Sequence, residues 1–276
     1  RPLPRFAGQT FESWFANYTP EGDGSKGEVV LFHDTFNDFN TPEVAIAATR
    51  LLEHMNYRVL LTNKRCCGRP MISKGMLGEA KNNAAWNTEQ LAPFTERGIP
   101  IIGLEPSCLL TLRDEYPEFL RTNAAKKVAE QSFLLEEFLV SELAAGELSF
   151  ASSGPRGKAL LHGHCHQKAL VGTAPTVAVL KAAGFEVSEV DSGCCGMAGS
   201  FGFEKEHYDL SVTIGTRRLA PAVKSAGMDV EIVAPGISCR QQIEHLTGRK
   251  AKHPAGLLWE TLAPTVMDRS RQADKR

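Results

Sequence analysis

No apolar run in the chain approaches the roughly 20 residues needed to cross a bilayer, which excludes a helical membrane span. Neither sign of charge is in excess: 31 Lys and Arg stand against 32 Asp and Glu, a net charge of −1. Nothing in that balance draws the chain to nucleic acid or to an anionic membrane surface. No apolar stretch follows Arg1-Pro2-Leu3-Pro4-Arg5, so this is not a secretory signal. An initiating Met is also missing, and the 276 residues are expected to be an expressed fragment or a piece of a longer polypeptide. Finally, there is no Cys-x-x-Cys pair, the usual source of ligands for a structural zinc.

What is present is a chain with 42% hydrophobic residues, enough for a sizeable core in one or two domains. It holds seven cysteines: Cys66, Cys67, Cys108, Cys165, Cys194, Cys195 and Cys239. An odd number, with no export signal, argues against a secreted disulfide framework. Two pairs are vicinal, and a bridge between neighbours closes a small strained ring. Thiols kept reduced in a cytosolic setting, for metal or redox work, are the better reading.

The sequence is written twice. Gly27-Glu28-Val29-Val30-Leu31-Phe32-His33-Asp34-Thr35 parallels Gly157-Lys158-Ala159-Leu160-Leu161-His162-Gly163-His164-Cys165, an offset of 130 (165 − 35). Cys66-Cys67-Gly68 parallels Cys194-Cys195-Gly196 at 128 (194 − 66). The stretch from Gly98 to Cys108 parallels that from Gly227 to Cys239 at 131 (239 − 108). Each copy reads as strand, helix, strand, Cys-Cys-Gly, longer helix, strand, single Cys. The strands are expected at 29–33, 58–62 and 99–104, then at 158–162, 185–190 and 230–234. Thr41-Pro42 opens one helix, with Arg50 and Glu53 on its water-facing side; Pro175 opens its counterpart and Gly184 closes it. The longer helices are expected at about 76–97 and 203–226.

Such alternation predicts an α/β fold of two tandem Rossmann-like repeats with parallel sheets, related by pseudo-two-fold symmetry. The expected organisation is an N-terminal arm over 1–26, a first repeat over 27–150, a second over 151–253, and a C-terminal helix and tail over 254–276. The arm is expected to pack back through Phe11, Trp14 and Phe15, or against an upstream domain; 254–259 reads as a short amphipathic helix, with a charged tail from Asp268. Ligands of doubly wound sheets gather beyond the carboxyl ends of the strands. Every cysteine follows a strand there, so residues distant in sequence converge.

The second copy offers four thiols, Cys165, Cys194, Cys195 and Cys239, which suit either a [4Fe–4S] cluster or a tetrahedral zinc. Adjacent cysteines favour the multi-iron cluster, since neighbouring thiolates can hold different irons. The first copy offers Cys66, Cys67 and Cys108, with Thr35 at the position of Cys165. It can hold a second, incompletely ligated centre, share thiolates at an interface, or be degenerate. In His162-Gly163-His164-Cys165-His166, strand alternation would put His162 and His164 on one face and Cys165 on the other. His164 is a candidate ligand; the competing reading leaves His164 and His166 in a solvated loop. Lys64, Arg65, Arg69 and Lys168 could offset thiolate charge or merely be solvated. The Gly-rich segment from Gly193 to Phe203 is neither a Gly-x-Gly-x-x-Gly fingerprint nor a Walker loop, and its glycines permit close backbone approach to a cluster.

On the duplicated Cys-Cys-Gly with its flanking single cysteines, the chain resembles the cysteine-rich, or CCG, domain family over residues 27–248. That family includes the B subunit of heterodisulfide reductase, the iron–sulfur subunits of glycolate oxidase and anaerobic glycerol-3-phosphate dehydrogenase, and lactate-utilisation proteins. Pro4-Arg5-Phe6, Phe11-Glu12-Ser13-Trp14-Phe15 and Glu105-Pro106-Ser107-Cys108 resemble the C-terminal region of fused FAD-linked oxidases. The resemblance implies an iron–sulfur module of a flavin-linked oxidoreductase, taking electrons from an FAD domain that oxidises a D-2-hydroxy acid such as D-lactate or D-2-hydroxyglutarate. It implies upstream FAD and ferredoxin-like domains or subunits, a quinone or other acceptor, and a cytoplasmic place, open to peripheral attachment at the inner membrane face. Two departures stand out: Thr35 replaces the first cysteine of copy one, and Glu105 and Gly236 replace the leading cysteine of each Cys-x-x-Cys. With fewer thiols, heterodisulfide-type reduction becomes an alternative only, beside a zinc-binding or metal-free docking module.

Overall fold

The computed structural model of the chain describes residues 1–150 and 154–262; the tail expected from Asp268 lies outside the described residues. Strands β1 (Gly27–Phe32), β2 (Tyr57–Leu60), β3 (Ile101–Gly103) and β4 (Ser132–Leu134) form one sheet in the order β2-β1-β3-β4. Strands β5 (Gly157–Leu161), β6 (Phe185–Glu189) and β7 (Val230–Val233) form a second in the order β6-β5-β7. All pairings are parallel: Val30 lies between Leu60 and Ile101, as Leu160 lies between Ser188 and Ile232. The fold is thus α/β with the first strand of each repeat at the centre of its sheet. β4 was not foreseen, because three residues between two helices leave too short an apolar run to register.

Side-chain alternation along the central strands divides the interior. Val29 and Leu31 of β1, with Ala159 and Leu161 of β5, enter one core cluster that draws on both halves of the chain. Val30 and Phe32 turn instead to a local cluster that contains Cys67 and Cys108. On the second sheet Leu160 and Ile232 turn to the corresponding cluster, with Cys195 and Cys239. Each sheet therefore shares one face with the whole molecule and reserves the other for its own cysteines.

The N-terminal arm packs back as one of the two expectations had it. Phe11 is fully buried in the shared core, stacked on Trp14 at 5.7 Å between ring centroids. This corrects the expectation for the helix Pro42–His54. Glu53 does not face water: it is buried under the arm, where its carboxylate accepts from the Tyr18 hydroxyl at 2.7 Å and from the Glu21 amide at 3.2 Å. Arg50 lies with its guanidinium 5.9 Å from the Trp14 ring. A second correction concerns the long helix expected over 203–226. It is broken into the 3-10 turns Phe201–Phe203 and Lys205–His207 and the helices Tyr208–Arg217 and Leu219–Ser225. Pro221 explains the last break, since its ring has no N–H and collides with the carbonyl four residues earlier, that of Arg217. In contrast, the helix Ala174–Ala182 carries Pro at its start and is followed by Gly184 at φ 95°, as the sequence predicts. The C-terminal helix, 254–262, seats Ala255, Leu257, Leu258 and Leu262 in the shared core.

Candidate metal centre

In the second half, β5 ends at Leu161, so the alternation expected for the histidines does not extend to them. His162, Gly163 and His164 connect the strand to the next helix, and Cys165 is the first residue of the helix Cys165–Leu170. His164 is that helix's N-cap. Its Nδ1 accepts from the His166 amide at 3.2 Å, while its own amide donates to Gln167 Oε1 at 3.3 Å, a reciprocal cap. His164 is thus buried rather than solvated, with Nε2 4.0 Å from the Glu105 carboxylate of the first half.

Cys194 and Cys195 follow β6 on a loop that turns at Gly196, φ 92°, whose amide donates to Cys194 Sγ at 3.3 Å. A side chain at Gly196 would meet the Ser211 carbonyl oxygen at 2.4 Å, which fixes the residue as glycine on both counts. Gln242, fully buried, ties the loop down by donating to the Cys195 carbonyl at 2.9 Å and the Ser211 carbonyl at 3.0 Å. Cys239 is the third residue of the helix Ile237–Thr247, just past β7.

These elements bring the four sulfurs together as one run of neighbours: Cys165 beside Cys194, Cys194 beside Cys195, Cys195 beside Cys239. Cys195 and Cys239 form the deep end, 3% and 1% exposed, and the other two lie closer to the surface. Protons are unevenly shared along the run. The Cys165 hydrogen bond pulls the Cys194 thiol far down, helped by Cys195 and the Gly196 amide. Cys239 is likewise pulled well below the ordinary thiol range, by Cys195 first and by the His162 ring after it. Cys165 and Cys195, which supply those hydrogen bonds, are pushed up.

His162 joins the deep end. It is fully buried, and one ring nitrogen lies with the Cys195 and Cys239 sulfurs in a group whose members are all within 4.8 Å of one another. The histidine expected as a candidate ligand is His164; the one grouped with these two sulfurs is His162.

The first half builds a similar site from poorer parts. Asp34 caps the helix Thr35–Phe39, and Thr35 stands where Cys165 begins its helix. Cys66, Cys67 and Cys108 gather in one cluster as a shorter run of neighbouring thiols. Asn83 donates to the Cys66 carbonyl at 3.1 Å, and the Tyr116 hydroxyl, itself accepting from Asn87 at 2.8 Å, donates to the Cys67 carbonyl at 3.1 Å. All three thiols are pushed up. Cys66 is raised by Cys67's hydrogen bond and then by burial, and Cys67 by Cys108's. Cys108 is drawn down by Cys67 yet ends at about 11 through burial and the nearby Asp34 and Glu105 carboxyls.

One carboxylate connects the halves. Glu105 caps the helix Pro106–Arg113, which carries Cys108, by accepting from the Ser107 amide at 3.4 Å, and the same oxygen accepts from the Ser107 hydroxyl at 2.8 Å. Its other oxygen accepts from the Ile237 amide at 2.8 Å, at the start of the helix that carries Cys239. The flanking basic residues are committed elsewhere: Lys64 to Asp38 at 3.2 Å, Arg69 to Glu115, Lys168 to the Ser192 carbonyl, and Arg65 over the Trp86 ring at 4.9 Å.

The sequence model of a cysteine-rich domain, CCG, matches residues 30–113 and again 161–244, one match per half. The C subunit of anaerobic glycerol-3-phosphate dehydrogenase from Escherichia coli (strain K12) is 32% identical over 266 residues, 95% of this chain and 66% of that protein. D-2-hydroxyglutarate dehydrogenase from Pseudomonas putida is 29% identical over 228 residues, 82% of this chain and 22% of that protein. Lactate utilization protein A from Bacillus subtilis is 24% identical over 236 residues, 82% of this chain and 94% of that protein. The chain thus spans just under two thirds of the first of these relatives and less than a quarter of the second. With both halves matched and their cysteines at equivalent sheet ends, the chain belongs to the cysteine-rich CCG domain family.

Proposed function

We propose that the chain is the iron–sulfur electron-transfer module of a flavin-linked dehydrogenase, with Cys165, Cys194, Cys195 and Cys239 holding a cluster of the [4Fe–4S] class. The observation that carries this reading is the unbroken run of four thiols beyond the carboxyl ends of β5, β6 and β7. The donor set fits the group: four soft sulfurs on a loop and two helix starts, with the loop tied down by the buried Gln242. A bound cluster would supply one-electron storage and transfer. The protein's own part is to hold the sulfurs, exclude water at the Cys195 and Cys239 end, and leave the Cys165 and Cys194 end nearer the surface, where a partner's electron carrier could approach.

The relatives' names support a donor that oxidises a small hydroxylated anion, whether glycerol 3-phosphate, D-2-hydroxyglutarate or lactate. Each of these carries a secondary alcohol whose oxidation releases two electrons. We take a D-2-hydroxy acid as substrate class and an FAD domain or subunit as the immediate donor, with a quinone or protein acceptor beyond. Among the described residues no helix is long and apolar enough to cross a membrane, so contact with a membrane acceptor would be peripheral or through a partner. Anaerobic reconstitution with iron and sulfide should give a broad absorbance near ~400 nm that dithionite bleaches and an oxidant restores. A protein that stays colourless, or whose colour ignores both reagents, would overturn the relay. A second reading, a redox-inert zinc module, draws on the Cys2His donors at the deep end. Stoichiometric zinc in anaerobically purified protein would support it.

A further inference from the structure

Three close groups of metal-ligating side chains occur among the described residues. Glu12, His33 and Asp38 already enclose the Lys64 ammonium, which lies 3.7 Å from Glu12 and 3.2 Å from Asp38. Asp114, Glu115 and His166 have the Arg69 guanidinium on Glu115. The third group, His162 with Cys195 and Cys239, differs in that all three members are buried and two are thiols. In that group Nε2 of His162 is a buried nitrogen with no hydrogen-bond partner. An orphaned polar atom in an interior is costly unless something else satisfies it.

We propose that His162 is a further ligand of the second-half centre, binding iron through Nε2 beside Cys195 and Cys239. The inference rests on the reading above that this half holds an iron–sulfur centre. Nδ1 of His162 lies 2.9 Å from Ser192 Oγ. With Nδ1–H donating to that hydroxyl, the Nε2 lone pair is left free, the outer hydrogen bond that fixes ring and tautomer in metal-binding histidines. The three donors lie within 4.8 Å of one another, so the imidazole is within reach of an iron held by Cys195 or Cys239. The first half provides the internal contrast. Phe32 stands at the position of His162, packed in the cluster with Cys67 and Cys108, and offers no donor. Imidazole ligation would therefore make the two halves chemically unlike even where their thiols correspond.

The test is Mössbauer spectroscopy of the whole chain reconstituted anaerobically with 57Fe, beside His162→Phe, which copies the first half. The wild type should show one iron subsite with a larger isomer shift than the all-thiolate irons, and His162→Phe should lose that subsite alone. Irons all alike in the wild type, or superposable spectra from the two proteins, overturn the proposal. The wild-type spectrum decides even where the variant fails to fold. Absence of iron from the wild type removes both readings, whereas iron without the distinct subsite removes only this one.

Discussion

At the scale of single residues, the two Cys-Cys-Gly glycines look alike in sequence but are constrained to different degrees. Gly196 has φ 92° and its missing side chain would strike backbone at 2.4 Å; Gly68 has φ 95° but nothing nearer than Ala80 at 3.4 Å. Gly68→Ala should thus cost only the left-handed backbone penalty, about 1–2 kcal/mol. Gly196→Ala should cost clearly more, because loop and helix must also separate. Urea titrations of both variants check this, and equal losses would contradict it. His253 supports a prediction in pH. Its Nε2–H donates to the Leu104 carbonyl at 3.0 Å while Nδ1 accepts from the Ala255 amide at 3.0 Å, so both ring nitrogens are used by the neutral form. Burial, then the nearby Arg240, holds its pKa down to about 3 against an ordinary 6.5. As pH falls through that window the unfolded chain takes up a proton that the folded chain does not. The stabilisation is therefore complete above about 6.5 and declines toward 3. The stability of wild type minus His253→Gln should fall by about 1.4 kcal/mol per pH unit within the window, and a difference independent of pH would contradict it.

At the scale of elements, the helices that present Cys108 and Cys239 share one cap. Glu105 satisfies the first turn of Pro106–Arg113 through one oxygen and that of Ile237–Thr247 through the other. Glu105→Ala should destabilise the chain by about 2 kcal/mol, near 1 kcal/mol for each lost cap, in a denaturant titration; a loss under about 0.5 kcal/mol would contradict the shared role. Sequence alone could not identify this role. Glu105 and Gly236 stand out there only as substitutes for cysteines, and the bond between Glu105 and Ile237 joins residues 132 apart. Strands β1, β2 and β5 were legible because short apolar runs ended at turn residues, and β6 because it stands at the repeat position of β2 before Cys-Cys-Gly. The break at Pro221 was also available in the sequence, through a ring that cannot sit one turn into a continuing helix. The burial of Glu53 was not, because its partners come from an arm without periodicity.

At the scale of the whole molecule, both sheets give one face to a common core and the other to separate cysteine clusters. The repeat offsets made the convergence of the cysteines legible, since each follows a strand of a parallel sheet. The pairing of His162 rather than His164 with the deep thiols was hidden, because it depends on where β5 stops. The asymmetry between halves was visible at Thr35, and the geometry extends it: the second half gathers four thiols and the buried His162, whereas the first gathers Cys66, Cys67 and Cys108 with Phe32. That contrast yields the most direct measurement: iron, sulfide and zinc determined on the chain after anaerobic purification and reconstitution, beside Cys194→Ser and Cys66→Ser. The wild type should contain iron and sulfide, and Cys194→Ser should lose far more of both than Cys66→Ser does. A wild type without iron, or a Cys194→Ser variant that keeps its full complement, would contradict an iron–sulfur centre in the second half.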